Sequence, residues 1–172
     1  MSGTKSYNQP FHYYYYMQQD AKYGLADQLI SDILSQQDIL VSVNSGGGSI
    51  AEARVEKGLP FRIREKWVTI GDEGRQWHIH LNMEEVIEAR FVKEPRSDGK
   101  QSYSIRFFDR KGNLSMRANF TKMYDSSGNL LKEKVAAFEK CIQNMEAKVK
   151  NKIPSLNSYS WICNDLSNPR IP

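Results

Sequence analysis

The chain has 172 residues, of which 40% are hydrophobic and 26% are charged, values typical of a globular protein. A chain of this length forms one domain with a sizeable core, which excludes a chain disordered throughout and a disulfide scaffold. The net charge of +4 is spread along the chain without a basic block, so we expect no nucleic-acid partner.

The first 19 residues are polar and aromatic, with four consecutive tyrosines at positions 13–16 and no aliphatic stretch of the signal-peptide type. We predict a flexible arm over residues 1–19 and a single domain over residues 20–172. The longest aliphatic stretch, residues 39–43, is far too short for a membrane span. The two cysteines, Cys141 and Cys163, lack metal-binding spacing. We therefore expect a cytoplasmic protein.

Two helices are predicted at opposite ends of this domain. Leu25, Leu29 and Ile33 recur at helical spacing within residues 20–37, with Asp27 and Asp32 on the other side of that helix. A second apolar stripe, which includes Phe138, predicts a helix over residues 129–150. The simplest interpretation is a purely structural one: this helix packs on a sheet, and Cys141 is a buried thiol.

Between the two helices, the pattern changes to alternating residues and short turns that contain glycine. The candidate strands are residues 50–55, 61–70, 77–81, 86–92, 102–108 and 114–120. Because no stretch between them is long enough for a crossover helix, the strands should pair as an antiparallel meander. The predicted fold class is therefore α+β, a curved antiparallel sheet flanked by an N-terminal and a C-terminal helix.

Residues 77–81 contain the most informative pattern for function, Trp-His-Ile-His-Leu. Side chains alternate between the faces of a strand, so Trp77 should face the core and both His78 and His80 the opposite side. Imidazole is the commonest transition-metal ligand in proteins and also ligates haem iron.

Three interpretations of this histidine pair are open from spacing alone. The imidazoles could simply bond to neighbours such as Glu84 or Glu88 on a polar face. They could chelate a metal with Glu84 or Glu85, as in a cupin-like metal-dependent enzyme, although the second cupin motif has no counterpart downstream. One of them could instead lie beside a large flat ligand.

Residues 77–120 resemble the HemS/ChuX/HutX superfamily of haem-utilisation proteins. The resemblance runs in register through His80-Leu81, residues 86–90, Val92 to Pro95, Ser97-Asp98-Gly99, residues 104–109 and Gly112-Asn113-Leu114. It is nearest to the small single-unit, cyanobacterial-type proteins, and only His80 transfers residue by residue. The resemblance implies a haem or related tetrapyrrole ligand, a homodimer, and a carrier more than an enzyme, although some relatives are reported to degrade haem.

A haem binder requires an imidazole, apolar walls and cations near the propionates. The sequence offers His78 and His80 as iron ligands. Its candidates for the apolar walls are Trp67, Trp77, Tyr103, Phe107 and Phe120, and its candidates for the cations near the propionates are Arg62, Arg64, Arg90 and Arg106. Alternation places Arg62 and Arg64 on one face together, and Arg106 on the face opposite to Tyr103 and Phe107. The predicted function is a cytoplasmic carrier of haem or a related tetrapyrrole. The alternatives are the cupin-like enzyme, using His78, His80 and Glu84, and an interaction protein with a vestigial cleft.

Overall fold

The computed structural model describes residues 11–16, 24–45, 48–71, 74 and 77–152. Within them the elements are β1 Phe11–Tyr16, α1 Gly24–Leu34, β2 Ile39–Asn44, β3 Ile50–Val55, β4 Phe61–Arg64, β5 Trp67–Ile70, β6 Ile79–Asn82, β7 Val86–Pro95, β8 Gln101–Asp109, β9 Leu114–Phe120 and α2 Lys132–Lys152. The fold class is α+β, as predicted.

The strands form two antiparallel sheets. The larger sheet has the order β1-β7-β8-β9-β2-β3, and the smaller has the order β4-β5-β6. A single predicted strand over residues 61–70 is in fact a hairpin, because the chain reverses at Glu65 and Lys66 with Glu65 at a φ of 54°. The sequence signal was weak there, since neither turn residue is a glycine, asparagine or proline. The hairpin supplies β4 and β5 of the smaller sheet, and β6 pairs with β5.

Two further strands differ from the expectations. Residues 11–16 lie within the predicted arm, yet they form β1, which pairs in register with β7 from Phe11 opposite Lys93 to Tyr16 opposite Glu88. Residues 39–44, regarded only as an aliphatic stretch, form β2 between β9 and β3. The rest of the predicted arm lies outside the described residues, as does Cys163.

The core contains residues of both helices and both sheets, and its aromatic part lies between α2 and one face of the larger sheet. Phe138 of α2 is surrounded by Phe91, Tyr103 and Phe120, with ring centroids 5.8, 5.4 and 5.2 Å away and the rings edge to face. Such aromatic pairs add to the gain from apolar burial. The predicted packing of the second helix on the sheet is thus confirmed.

Helix α1 buries the predicted residues Leu25, Leu29 and Ile33. Asp27 is exposed as expected, but Asp32 is only 9% exposed, which corrects its expected place on the outer side. The reason is that α1 also packs against α2, where Asn144 donates a 3.0 Å hydrogen bond to Oδ1 of Asp32. No helix in the described part of the chain is long and apolar enough to cross a bilayer.

Helix α2 begins three residues later than predicted, because residues 125–129 form a turn. The Asp125 carboxylate accepts hydrogen bonds from the backbone N–H groups of Ser127 and Asn129 and from the Asn129 side chain. An aspartate that satisfies backbone donors in this way favours a turn over a helix. Cys141 is buried within α2, and burial raises the pKa of its thiol to about 12, so it is not a reactive nucleophile.

Candidate functional site

The smaller sheet has one buried face and one exposed face, as its alternating sequence requires. Val68, Ile70 and Leu81 are buried in the core. The opposite face carries an open groove of about 450 Å³, within the range of small-molecule sites. We call it the His80 groove; it is lined by Arg62, Arg64, Glu65, Trp67, Thr69 and His80.

The register of the three strands places the polar and aromatic side chains of the groove next to one another. Arg62, Thr69 and His80 lie directly opposite one another across β4, β5 and β6. In the next row, Arg64 lies opposite Trp67. The β4–β5 hairpin therefore places two guanidinium groups beside an indole and an imidazole on one face, which a single continuous strand would not have done.

The imidazole of His80 is held on one side and open on the other. Its Nδ1 is hydrogen-bonded to Oγ1 of Thr69 at 2.9 Å, and Thr69 is buried. In the tautomer that donates from Nδ1–H to the threonine oxygen, the lone pair of Nε2 is available to a ligand. Metal-binding histidines are commonly oriented by such a hydrogen bond from the other ring nitrogen.

Two aromatic rings flank His80. The indole of Trp67 is edge-on to it, with ring centroids 6.3 Å apart, and Trp67 is 41% exposed, which is unusual for so large an apolar side chain. The ring of His78 lies 4.7 Å from that of His80, also edge-on. Both histidines are exposed, so the prediction that they share the outer face is confirmed.

Trp77 lies on the other side of the sheet, as alternation predicted. It is partly buried and packs against the core cluster, so it is not a wall of the groove. Tyr103, Phe107 and Phe120, the other aromatic candidates, are also core residues. Among the candidate aromatic walls, only Trp67 lines the groove.

Arg90 and Arg106 belong to the larger sheet and do not reach the His80 groove. Arg90 donates two hydrogen bonds to Glu88, at 2.6 and 3.1 Å, and lies over the ring of Phe108. Arg106 pairs with Glu94. Alternation correctly predicted that Arg106 points away from the Tyr103 side, but it could not reveal that the two arginines lie in another sheet.

Thr69 is a residue of the candidate site that the sequence did not indicate. A buried threonine on a strand gives no signal by itself; only the register of β5 with β6 shows that it orients His80. No group of three or more histidine, cysteine, aspartate or glutamate residues that could hold a metal occurs among the residues described. The cupin-like interpretation therefore lacks a third ligand: Glu84 is exposed and pairs with Lys66 at 3.5 Å.

Several solved structures share this fold, and some of them are described as heme-binding proteins. The crystal structure of ChuX superposes with a TM-score of 0.62 and 17% identity over 80% of this chain and 78% of ChuX, and a second structure names ChuX as a heme-binding protein. Holo-PhuS from Pseudomonas aeruginosa, a heme-binding protein, superposes with a TM-score of 0.54 and 16% sequence identity. The match covers 75% of this chain but only 34% of PhuS. At these identities the matches establish the fold alone.

Comparison of sequences gives one further match. A protein-family model matches residues 27–146, well over half of the chain. A search of the curated proteins finds no match. The family match and the structural matches lead to the same conclusion: this chain belongs to the ChuX/HemS-like fold family.

Proposed function

We propose that the protein is a carrier of haem or a related tetrapyrrole, which it binds in the His80 groove with His80 as the iron ligand. The observation that carries this proposal is the exposed His80 imidazole, fixed at Nδ1 by Thr69 and flanked by an exposed indole on a cationic face. Haem-binding proteins among the structural matches support the same ligand class.

The residues of the groove fit the three parts of haem. Nε2 of His80 would hold the iron, and Trp67 would supply an apolar surface for the macrocycle. Arg62 and Arg64 are exposed on the same face, and guanidinium groups suit the carboxylates of the propionates through paired hydrogen bonds. When bound, haem would provide the iron whose transport is the proposed task.

Of the two histidines, His80 would hold the iron. The two rings lie 4.7 Å apart and edge to face, on one face of the smaller sheet. His80 has a hydrogen bond from Nδ1 to a buried side chain, which fixes its ring. We therefore assign ligation to His80, and to His78 an edge-to-face contact with the His80 ring.

An open groove favours a carrier over an enzyme. His80, Trp67 and both arginines are exposed, so a ligand could enter and leave without movement of a covering element in the described part of the chain. Chemistry on haem would call for a site that excludes water. We propose reversible binding and transfer in the cytoplasm, with no catalytic residue.

Haemin titration of the full chain, followed by the Soret absorbance, tests the proposal. The wild-type protein should give a saturable, shifted Soret band. His80→Ala should abolish the shift, and Thr69→Val should weaken affinity about tenfold, because it leaves the imidazole without its orienting partner. His78→Ala should retain the shifted band.

Matched variants distinguish a specific effect of the two groove arginines on haemin binding from a general effect of positive charge. Arg62→Ala and Arg64→Ala should each weaken binding of haemin, whereas Arg54→Ala, which removes the same charge from the exposed side of β3, should not. An unshifted spectrum in the wild type, or equal binding by the wild type and His80→Ala, would contradict the proposal.

A homodimer is part of the same proposal. The chain matches only 34% of the PhuS chain, so two copies would approach the length of one such protein. Sedimentation equilibrium at micromolar concentration should give about twice the mass of the chain. A monomer that still binds haemin would contradict the proposed homodimer but not the proposed binding of haem in the His80 groove.

A further inference from the structure

His78 is the one member of the histidine pair to which haem binding gives no ligand role. Both His78 and His80 are exposed on the outer face of the smaller sheet, His78 immediately before β6 and His80 within it. Side chains two residues apart along a strand point the same way, so the two imidazoles can approach one ion together. Neutral imidazole is a ligand that suits Zn²⁺, Cu²⁺ and Ni²⁺.

The distance between the two rings fits one ion bound by both. An imidazole nitrogen binds Zn²⁺ at about 2.0–2.1 Å, which places the ring centroid about 3.2 Å from the ion. Two rings that meet at the ion at about 90–110° therefore have centroids roughly 4.5–5.2 Å apart. The centroids of His78 and His80 are 4.7 Å apart, with the ring planes inclined at 71°. Rotation of side chains is then enough to direct two nitrogens at one ion.

The two rings differ in how firmly they are held. In the tautomer of His80 that donates from Nδ1 to Oγ1 of Thr69, at 2.9 Å, Nε2 is the nitrogen left for a metal. No hydrogen bond holds the ring of His78 within the part of the chain that the structure describes, so this ring can turn towards the same ion. One imidazole is therefore already oriented for a metal, and the other can complete the pair.

The surroundings of the pair determine which ions it can bind. Among the described residues no third histidine, cysteine, aspartate or glutamate joins them in a metal-binding group, so water would fill the remaining positions. Glu84 pairs with Lys66 instead. Two nitrogen donors without a carboxylate favour Cu²⁺, Ni²⁺ and Zn²⁺ over Mg²⁺ and Ca²⁺, which require oxygen ligands. Arg62, across Thr69 from His80, adds positive charge that limits the affinity for any cation.

We propose that His78 and His80 together bind one divalent transition-metal ion of the Zn²⁺ and Cu²⁺ class, with water as its other ligands. Because Nε2 of His80 has a single lone pair, this ion and haem iron exclude each other. That exclusion rests on the proposed function, whereas binding of the ion does not. His78 thereby belongs to a site that lowers the affinity for haem when the free divalent ion is abundant.

Calorimetric titration of the full chain with ZnCl₂, without an affinity tag and in a buffer that does not chelate metals, tests the site itself. The wild type should bind one ion. His78→Ala and His80→Ala should each weaken binding by about tenfold or more, because each removes one of two protein ligands. His12→Ala, which removes the only other histidine, and Cys163→Ser should leave zinc binding unchanged. MgCl₂ should give no binding.

Two further variants test which side chains act as ligands. Glu84→Gln should bind zinc as the wild type does, since its carboxylate is not a ligand. Arg62→Ala should bind zinc at least as tightly as the wild type, although it weakens binding of haemin. No saturable zinc binding, equal binding by the wild type and His78→Ala, or a loss of about tenfold in Glu84→Gln or Arg62→Ala would each overturn the proposal.

Competition with haemin distinguishes this proposal from the proposed function. Free zinc at about ten times its dissociation constant should raise the haemin concentration needed for half of the Soret change about tenfold in the wild type. His78→Ala, which still binds haemin, should show no such increase. Zinc binding that leaves the haemin titration unchanged would overturn the exclusion of haem by the ion. A missing Soret shift beside intact zinc binding would instead overturn the proposed function and support the two-histidine metal site.

Discussion

Asp38 joins three parts of the chain through a single carboxylate. It follows α1, and its two oxygens bind the ammonium groups of Lys122 and Lys134 at 2.7 Å each. Its backbone oxygen accepts the N–H of Thr121, and its φ is 61°, in the left-handed region. Hydrogen bonds from the two lysines lower the pKa of Asp38 to about 2, from an ordinary 3.8.

That pKa predicts a loss of stability in acid. Because the folded-state pKa lies below the unfolded value, the carboxylate stabilises the fold above pH 3.8, and this contribution disappears as the pH falls to about 2. Asp38→Asn, which tolerates the left-handed backbone, should lower the free energy of unfolding by about 1 kcal/mol at pH 7.

Denaturant unfolding of the wild type and Asp38→Asn at several pH values checks this prediction. The difference between them should shrink between pH 4 and pH 2. Asp98→Asn provides a control, since Asp98 pairs with one exposed arginine and should have a smaller effect. A difference that stays constant across this range would exclude the two lysine contacts as its source.

The pKa of Asp32 is shifted in the opposite direction to that of Asp38. Burial is the main cause that raises the pKa of its carboxyl, and its Oδ2 has no hydrogen-bond partner within the described residues. Because the folded-state pKa lies above 3.8, the folded protein loses stability as the pH rises through that value towards the folded pKa. Both donors, Gln28 and Asn144, bind Oδ1.

Removal of this charge should therefore stabilise the protein at neutral pH. In Asp32→Asn the amide oxygen of the new side chain would still accept from both donors. The substitution should raise the free energy of unfolding by about 1 kcal/mol at pH 7, with a smaller gain at pH 4. Thermal unfolding at both pH values measures the change. A lower melting temperature at pH 7 would show that the charge is needed between the helices.

At the scale of elements, Gly71 controls how β6 approaches β5. Its φ is 93°, and a Cβ at this position would lie 3.1 Å from the carbonyl oxygen of Trp77. Its N–H donates to the carbonyl of Pro60 at 2.8 Å. Glycine therefore allows the backbone to bring His78 and His80 onto the outer face of the smaller sheet.

Gly71→Ala should lower the free energy of unfolding by about 2 kcal/mol, because it adds a clash with Trp77 to the strain of a positive φ. Gly99→Ala is the matched control: its φ is 77°, but no atom lies within 4 Å of the added carbon. Urea unfolding should give a smaller loss, about 1 kcal/mol, for the control. Equal losses in the two variants would mean that the contact with Trp77 is unimportant.

The smaller sheet also marks the limit of prediction from sequence. Period-two alternation correctly predicted the faces of His78, His80, Arg62 and Arg64, since it depends only on strand geometry. It did not predict the turn at Glu65, because that turn lacks the residues that usually adopt positive φ. Without the turn, the proximity of Arg62 to His80 could not be anticipated.

For the molecule as a whole, the α+β class and both helices followed from apolar periodicity, which reflects burial directly. The division into two sheets and the pairing of β1 with β7 did not, because strand pairing depends on contacts distant in sequence. Arg90 and Arg106 illustrate the consequence. Arginine side chains suit a propionate, but these two lie in the larger sheet, where Arg90 pairs with Glu88 and Arg106 pairs with Glu94.

Mapping of the surface that contacts a porphyrin shows whether the His80 groove is the binding site. Zinc protoporphyrin, which is diamagnetic, can be titrated into ¹⁵N-labelled protein while the backbone amide and histidine side-chain signals are followed. We expect the largest changes at Arg62, Trp67, Thr69 and His80, with a shift of the His80 Nε2 resonance. Changes confined to the larger sheet around Arg90 and Arg106, with the His80 ring unaffected, would contradict it.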